Sequence, residues 1–315
     1  MKKSRPRHGS LQFYPRKRAA NLTPSVNWKH ISAQNPGLLG FLTYKVGMAT
    51  ALVRDNTDKI MTAKKQLAIP VTILEVPAMK IYSIRFYKHG QVVKENIAAN
   101  DKELKHKVKV SHAIHPVSHP EDFDDVRVIL FSIMKQTAIK KTPDFVEVAV
   151  QGANAHAKLE YVKSLVGKEL TLEHFSHGSL VDVRAVTRGR GIQGPVKRFG
   201  ITLRQHKSEK GIRKVGSIGP WHPAHVTFRI PAAGQMGLHT RVHYNIKVLG
   251  KGNIGEKNIN PASGFKNYGL IKNSYLVVSG SIQGPTKRQV LLTPSYRPTK
   301  EQAKRKLELL EVYTK

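Results

Sequence analysis

The chain has 315 residues, with 53 Lys and Arg against 21 Asp and Glu, a net charge of +32 and a pI near 10.3. Such a field opposes compaction unless a polyanion neutralises it, and nucleic acid suits basic residues spread over many loops. The absence of cysteine excludes disulfides, thiolate zinc sites and cysteine catalysis, and no apolar run approaches the ~20 residues of a membrane span.

Residues 1–54 hold no Asp or Glu. Within them, residues 1–40 are rich in Arg, Lys, Pro, Asn and Ser with little apolar periodicity, which predicts an extended basic arm that orders on its partner. The first residues develop no apolar signal-peptide core, so a cytoplasmic location is expected, an Arg-rich transit peptide being the weaker alternative. From Phe41 the pattern becomes strand-like: Val71–Val76 lies between Pro70 and Pro77, and Lys80–Tyr87 leads into a Lys88-His89-Gly90 turn and another short strand. Residues 41–94 read as the first part of a β-barrel.

Residues 95–173 are less basic, carrying 12 of the 21 acids. Arg127–Ile133 and Phe145–Val150 read as strands. Asn154 to Gly167 reads as a helix, capped by those two residues, with Ala155, Leu159, Val162 and Val166 on one face. This is an α/β insertion expected to face away from the polyanion. Strand patterns resume at Leu180–Thr187, Val242–Leu249, Tyr275–Ser279 and Gln289–Thr293, giving barrel pieces at 174–187 and 241–293. In 294–315, Thr299-Lys-Glu-Gln302 resembles a capping box and Ala303, Leu307 and Leu310 form a stripe, predicting a helical tail.

Residues 184–245 are the most informative, with 188–240 read as a basic, glycine-rich central extension tipped by a tryptophan. Arg184, Arg188, Arg190, Lys197, Arg198, Arg204, Lys207, Lys210, Arg213 and Lys214 alternate with glycines, and Glu209 is the last acid before Glu256. Glycine lets the backbone approach a ligand closely and arginine matches phosphate bidentately. Pro220 and Pro223 stiffen a turn that carries Trp221, whose indole can stack on a base; His222 and His225 can hydrogen-bond phosphate or base edges. Ile192-Gln-Gly-Pro-Val-Lys-Arg198 recurs as Ile282-Gln-Gly-Pro-Thr-Lys-Arg288. The repeat reads as two similar turns, each presenting a Lys-Arg pair to phosphate, so Lys287 and Arg288 join the candidates.

Two matches to G-x-G-x-x-G, Gly189–Gly194 and Gly250–Gly255, open no expected helix and lack the acid that would hold a ribose, so dinucleotide binding is set aside. His222/His225, His239/His243 and His112/His115/His119 lack the thiolates that structural zinc prefers, and the acids at 121–125 read as a solvated turn rather than a Mg²⁺ site. No metal, cofactor or small-molecule substrate is expected. No nucleophile–base pair or carboxylate pair stands out, so the protein is not read as an enzyme.

Pro6–Gly9, Phe13–Ala19, Gly40–Met48, Val186–Gly200, Gly219–His225 and Phe265–Asn273 resemble, in order along the chain, the third large-subunit ribosomal protein family in its archaeal–eukaryotic form. The resemblance implies a translation-protein-type β-barrel with two basic extensions reaching into large-subunit rRNA, and no catalysis. It implies that Arg5, Arg7, His8, Arg16, Lys17 and Arg18 belong to the N-terminal extension, and that Trp221 tips the central one near the peptidyl transferase centre. The implied partners are large-subunit rRNA and neighbouring ribosomal proteins, with families fourteen and twenty-four e-type expected, and no membrane. The competing readings are an rRNA- or tRNA-modifying enzyme with a basic docking surface, and a free RNA chaperone.

Overall fold

A computed structural model describes residues 6–109, 118–175 and 179–314. The chain divides into two compact units: Met1–Ala20 with Thr187–Thr240, and Asn21–Val186 with Arg241–Lys315. In chain order the elements are β1 (Gly37–Leu38), β2 (Phe41–Asp55), β3 (Gln66–Val76), β4 (Met79–Lys88), β5 (Gln91–Ile97), β6 (Asp125–Ser132), β7 (Phe145–Gln151), α1 (Ala155–Leu165), β8 (Leu180–Val186), β9 (Ile192–Gln193), α2 (Pro195–Phe199), β10 (Gly234–Gln235), β11 (Thr240–Asn253), β12 (Ser274–Ser279), β13 (Gln289–Pro294), α3 (Lys300–Lys304) and β14 (Leu307–Tyr313). The protein is mainly β.

The larger unit holds two sheets. Five strands run in the order β1-β7-β6-β4-β5, and seven in the order β13-β8-β11-β12-β3-β2-β14. An additional β13–β2 pairing turns six of the seven into a ring. It is not a clean barrel. β2 divides its free edge, pairing with β13 at Phe41–Tyr44 and with β14 at Thr50–Asp55. Its burial follows that division: Phe41–Tyr44 are buried without a break, whereas Thr50–Asp55 alternate, with Ala51, Val53 and Asp55 inward. One core cluster joins Phe41, Leu42 and Tyr44 to residues of both sheets and to Leu159 and Val162 of α1. A second lies under the far half of the ring, around Val53, Ile73, Phe265 and Tyr268.

Several sequence expectations are corrected here. Residues 21–40 are not part of an arm, because Trp28, Ile31, Leu38 and Leu39 bury into the main core. β4 and β5 belong with the expected insertion rather than with the ring, since Pro77 ends β3 and Met79–Tyr87 pairs with β6. β3 runs through Pro70 to Gln66; the Pro70 carbonyl faces the end of β12, so the missing N–H lies where that neighbour has stopped. The tail is helical only at Lys300–Lys304. Leu307–Tyr313 alternates apolar and acidic residues across a bulge at Leu310, and lies as a strand on β2 with Leu307, Leu309 and Val312 against the second core. α1 forms as expected with Leu159, Val162 and Leu165 buried, although the Asn154 side chain makes no capping bond.

Three buried polar groups tie distant segments of this unit together. Glu75, fully buried in β3, accepts from the Tyr268 hydroxyl, the Lys272 and Asn273 backbone N–H groups (3.0 and 3.3 Å) and the Asn273 amide (3.2 Å). Burial, and then the Glu75 charge, push the Tyr268 hydroxyl far above its ordinary range. The Tyr44 hydroxyl donates to Asp144 at 2.6 Å beside Ser132. Asp55 accepts from Thr57 N–H, the Thr62 hydroxyl and Arg305, fixing the tail to the β2–β3 turn.

Candidate nucleic-acid interface

The smaller unit leaves the chain after β8 and returns at the start of β11, two neighbouring strands. It opens with a narrow ladder. Thr187 N–H donates to His239 O, Arg190 N–H to Met236 O, and Met236 N–H to Gly191 O, each at 2.9 Å, before β9 pairs with β10. Glycine is required here: a Cβ on Gly237 (φ +79°) would stand 2.0 Å from the Arg188 carbonyl oxygen. The chain then turns into α2. Gly194 is its N-cap, Pro195 occupies the first turn where no N–H is needed, and left-handed Gly200 ends it, donating to Val196 O at 2.8 Å. The Gly189–Gly194 motif therefore does open a helix, contrary to the expectation from Pro195, but one of five residues only.

The N-terminal segment packs into this same unit, so the two basic stretches are not separate arms. Ala19 N–H donates to Leu238 O (2.7 Å), and His239 Nδ1 lies 3.0 Å from Lys17 O. The Arg16 guanidinium lies 4.1 Å over the Phe199 ring and 5.4 Å from that of Tyr14, and donates to Arg198 O at 3.3 Å. Tyr14 meets Phe228 edge to face at 5.3 Å. Among the described residues of the unit, Phe199 and Ile201 are the only large apolar side chains that are buried, a core too small to hold the excursion by itself.

The candidate cations fall into two groups. Arg7, Lys17, Arg18, Arg188, Arg190, Lys197, Lys207, Lys210, Arg213 and Lys214 are exposed. Arg16, Arg198 and Arg204 are half-buried and hold backbone: Arg198 donates to Gln235 O and Ala232 O (both 3.0 Å), and Arg204 donates to Val215 O. Burial, then the nearby Arg16 charge, lower Arg198 below its ordinary pKa. The repeated motif shows the same division in the larger unit. Lys287 is exposed, whereas Arg288 is half-buried with its Nε unpartnered and its pKa pulled down by burial. Each loop thus turns its Lys outward and its Arg inward, rather than presenting a pair. The loops also differ, since Ile192 is 80% exposed and Ile282 is buried.

Trp221 is 87% exposed. Its carbonyl accepts from Ala224 N–H at 2.8 Å in a tight turn containing a cis His222–Pro223 bond, and His225 Nδ1 donates to Pro223 O at 2.9 Å. Its apolar neighbours Ile218, Val226 and Phe228 are exposed too, and none of the described residues of the unit buries the indole. His8 is half-buried, with Nε2 unpartnered. Arg229, exposed beside Phe228, belongs with the outward cations although it stands apart in sequence from the basic run that ends at Lys214. Arg5, His112 and His115 lie outside the described residues. Among the described residues, no three His, Cys, Asp or Glu side chains gather in a metal-binding set.

Eleven outward cations, a backbone shaped by glycine, a bare indole and almost no core define a protein that binds nucleic acid as a scaffold. A family model described as Ribosomal protein L3 matches residues 1–110 and 96–314. Large ribosomal subunit protein uL3 of Methanococcus vannielii is 41% identical over 320 residues, covering 96% of this chain and 94% of its own length. The proteins of the same name from Methanosphaera stadtmanae (40%, covering 94% and 93%) and Methanocaldococcus jannaschii (38%, covering 94% and 92%) are similar to it over comparable spans. The chain belongs to the ribosomal protein L3 family, a structural family and not an enzyme family.

Proposed function

We propose that this protein is a structural constituent of the large ribosomal subunit in the cytoplasm, where it binds large-subunit rRNA, aids assembly and supports the RNA around the peptidyl transferase centre. Family membership and the charge of the smaller unit support rRNA as the partner. The observation that carries the finer reading is the 87% exposed Trp221 at a tip with no core beneath it. An indole left in water on a proline-stiffened turn suits stacking among bases, worth ~1–3 kcal/mol per base. The outward cations hold the unit by phosphate contacts, so Trp221 acts as a wedge and contributes little of the total affinity. Arg16, Arg198 and Arg204 act by shaping the backbone that presents those cations. Proteins of families fourteen and twenty-four e-type are the proposed neighbours, a reading that rests on the family resemblance.

The test is chemical probing of rRNA in subunits carrying Trp221→Ala. Assembly should remain close to normal while reactivity around the catalytic centre, peptide transfer or drug response changes. Identical reactivity with normal peptide transfer and drug sensitivity would show that the tip does not reach that centre.

A further inference from the structure

A cleft of about 270 Å³ opens in the larger unit between the start of β11, the end of β12 and the C-terminal tail. It belongs to none of the motifs that mark the family resemblance. His243, Tyr244, Lys247, Gly280, Gln302 and Arg305 are among the residues that line it. No carboxylate lines it. Its two cations are held in place by the protein and still have donors to offer. Lys247 Nζ donates to the carbonyls of Gln302 (3.2 Å) and Ala303 (3.4 Å), which occupy two of its three hydrogens. Arg305 binds Asp55 through Nε and Nη2, leaving Nη1 outside that contact. Tyr244 is 54% exposed, so its ring is available as a wall.

We infer that this cleft receives a single nucleotide splayed out of the large-subunit rRNA, its base against Tyr244 and His243 and its phosphate beside Lys247 and Arg305. The inference rests on the rRNA reading above and adds a contact in the other unit. Size and chemistry set the occupant. The volume is below the ~300–1,000 Å³ typical of small-molecule and cofactor sites, which suits one nucleotide better than a dinucleotide. Lys247 is a fixed cation with a hydrogen to spare, and Arg305, its charge balanced by the buried Asp55, adds its Nη1 donors; together they favour an anion. An aromatic wall beside them accepts any base face, as single-stranded RNA recognition requires. No glycine-rich phosphate loop precedes a helix here, as a site for free nucleoside triphosphates would have.

The experiment uses the full chain bound to large-subunit rRNA, with ultraviolet cross-linking and mass spectrometry of the adducts. A nucleotide adduct on Tyr244 or His243 is expected. Tyr244→Ala should lose it and weaken binding about 5- to 160-fold at fixed salt, the range that stacking of one base supplies, whereas Tyr244→Phe should bind like the parent. Because Tyr244 is half in water, the thermal midpoint of the free variants should stay near that of the parent. Adducts confined to residues 188–229, with Tyr244→Ala binding normally, would overturn the cleft while leaving the rRNA reading intact; no adduct anywhere would overturn both. Cross-links from Tyr244 to a neighbouring protein in place of RNA, or saturable binding of free AMP or UMP to the isolated chain lost in Tyr244→Ala, would overturn it as well.

Discussion

Replacing Glu75 by alanine should unfasten the loop that runs from Asn258 to Asn273. The carboxylate is fully buried and accepts from four donors on Tyr268, Lys272 and Asn273. Its removal leaves the Tyr268 hydroxyl unpartnered in a buried site and takes the acceptor from the Lys272 and Asn273 donors, of which the Asn273 amide keeps Gln136 O. Each abandoned group costs about 1–3 kcal/mol, but the buried charge is lost as well, which returns part of its desolvation penalty. Breaking such a network by deleting one partner costs about 3–5 kcal/mol. For a unit of this size that corresponds to a fall in melting temperature of roughly 6–20 °C. Glu75→Gln keeps an acceptor but turns an amide N–H₂ toward donors, so its loss should be smaller, and Tyr268→Phe, which removes one donor, should cost about 1–2 kcal/mol. Urea unfolding of the free protein at moderate salt would give the stabilities, and amide exchange at Lys272 and Asn273 would locate the effect. A Glu75→Ala loss below about 1 kcal/mol, or unchanged protection at those amides, would refute the reasoning.

Three more outcomes are expected. Replacing Arg188, Arg190 and Lys197 together by Ala should flatten the salt dependence of rRNA binding by up to ~0.9 in log–log slope per lost phosphate contact, less on single strands; an unchanged slope would mean that they do not meet phosphate. Arg198→Ala should leave that slope nearly unaltered and instead raise proteolysis of the free protein within 187–240, because its guanidinium holds Gln235 and Ala232 carbonyls. Asp55 is held down to about 2: burial alone would raise it, but hydrogen bonds from Thr57, Thr62 and Arg305 prevail. The stability it confers is therefore present above about pH 4 and is lost as pH falls toward 2, so Asp55→Asn should be less stable at neutral pH and show a flatter acid limb in that window.

The strands were legible in the sequence wherever short runs of apolar residues stood between turn residues, as at Met79–Lys88 and Gln289–Pro294. The tail was not, because Ala303, Leu307 and Leu310 satisfy a helical stripe while Leu307, Leu309 and Val312 satisfy a bulged strand, and only the partner strand β2 decides between them. Residues 21–40 carry too few apolar side chains for a periodic signal, yet Trp28, Leu38 and Leu39 suffice to anchor them once a core exists. At the interface, charge and glycine located the segment and Trp221, but composition does not distinguish an arginine that faces outward from one that closes a turn. Arg16, Arg198 and Arg204 could be sorted only by the carbonyls and rings beside them. The cleft at Tyr244 and Arg305 was invisible for a related reason: its walls are far apart in the chain and no motif spans them.

The pairing of β2 with β13 has a consequence for how the chain is made. Phe41 faces Leu292, so the ring cannot close until nearly the whole polypeptide exists. At synthesis rates of ≈ 5–20 residues per second, β2 waits roughly 10–50 s for that neighbour. Through this interval its Phe41–Tyr44 edge, apolar on both faces, is an open template for another strand. The N-terminal cations emerge earlier still, and with no acid among the first 54 residues they oppose self-association by charge alone. A nascent chain of this design is at greatest risk of aggregating between the appearance of β2 and the appearance of β13, and a chaperone that shields residues 41–44 during translation would act where that risk is concentrated.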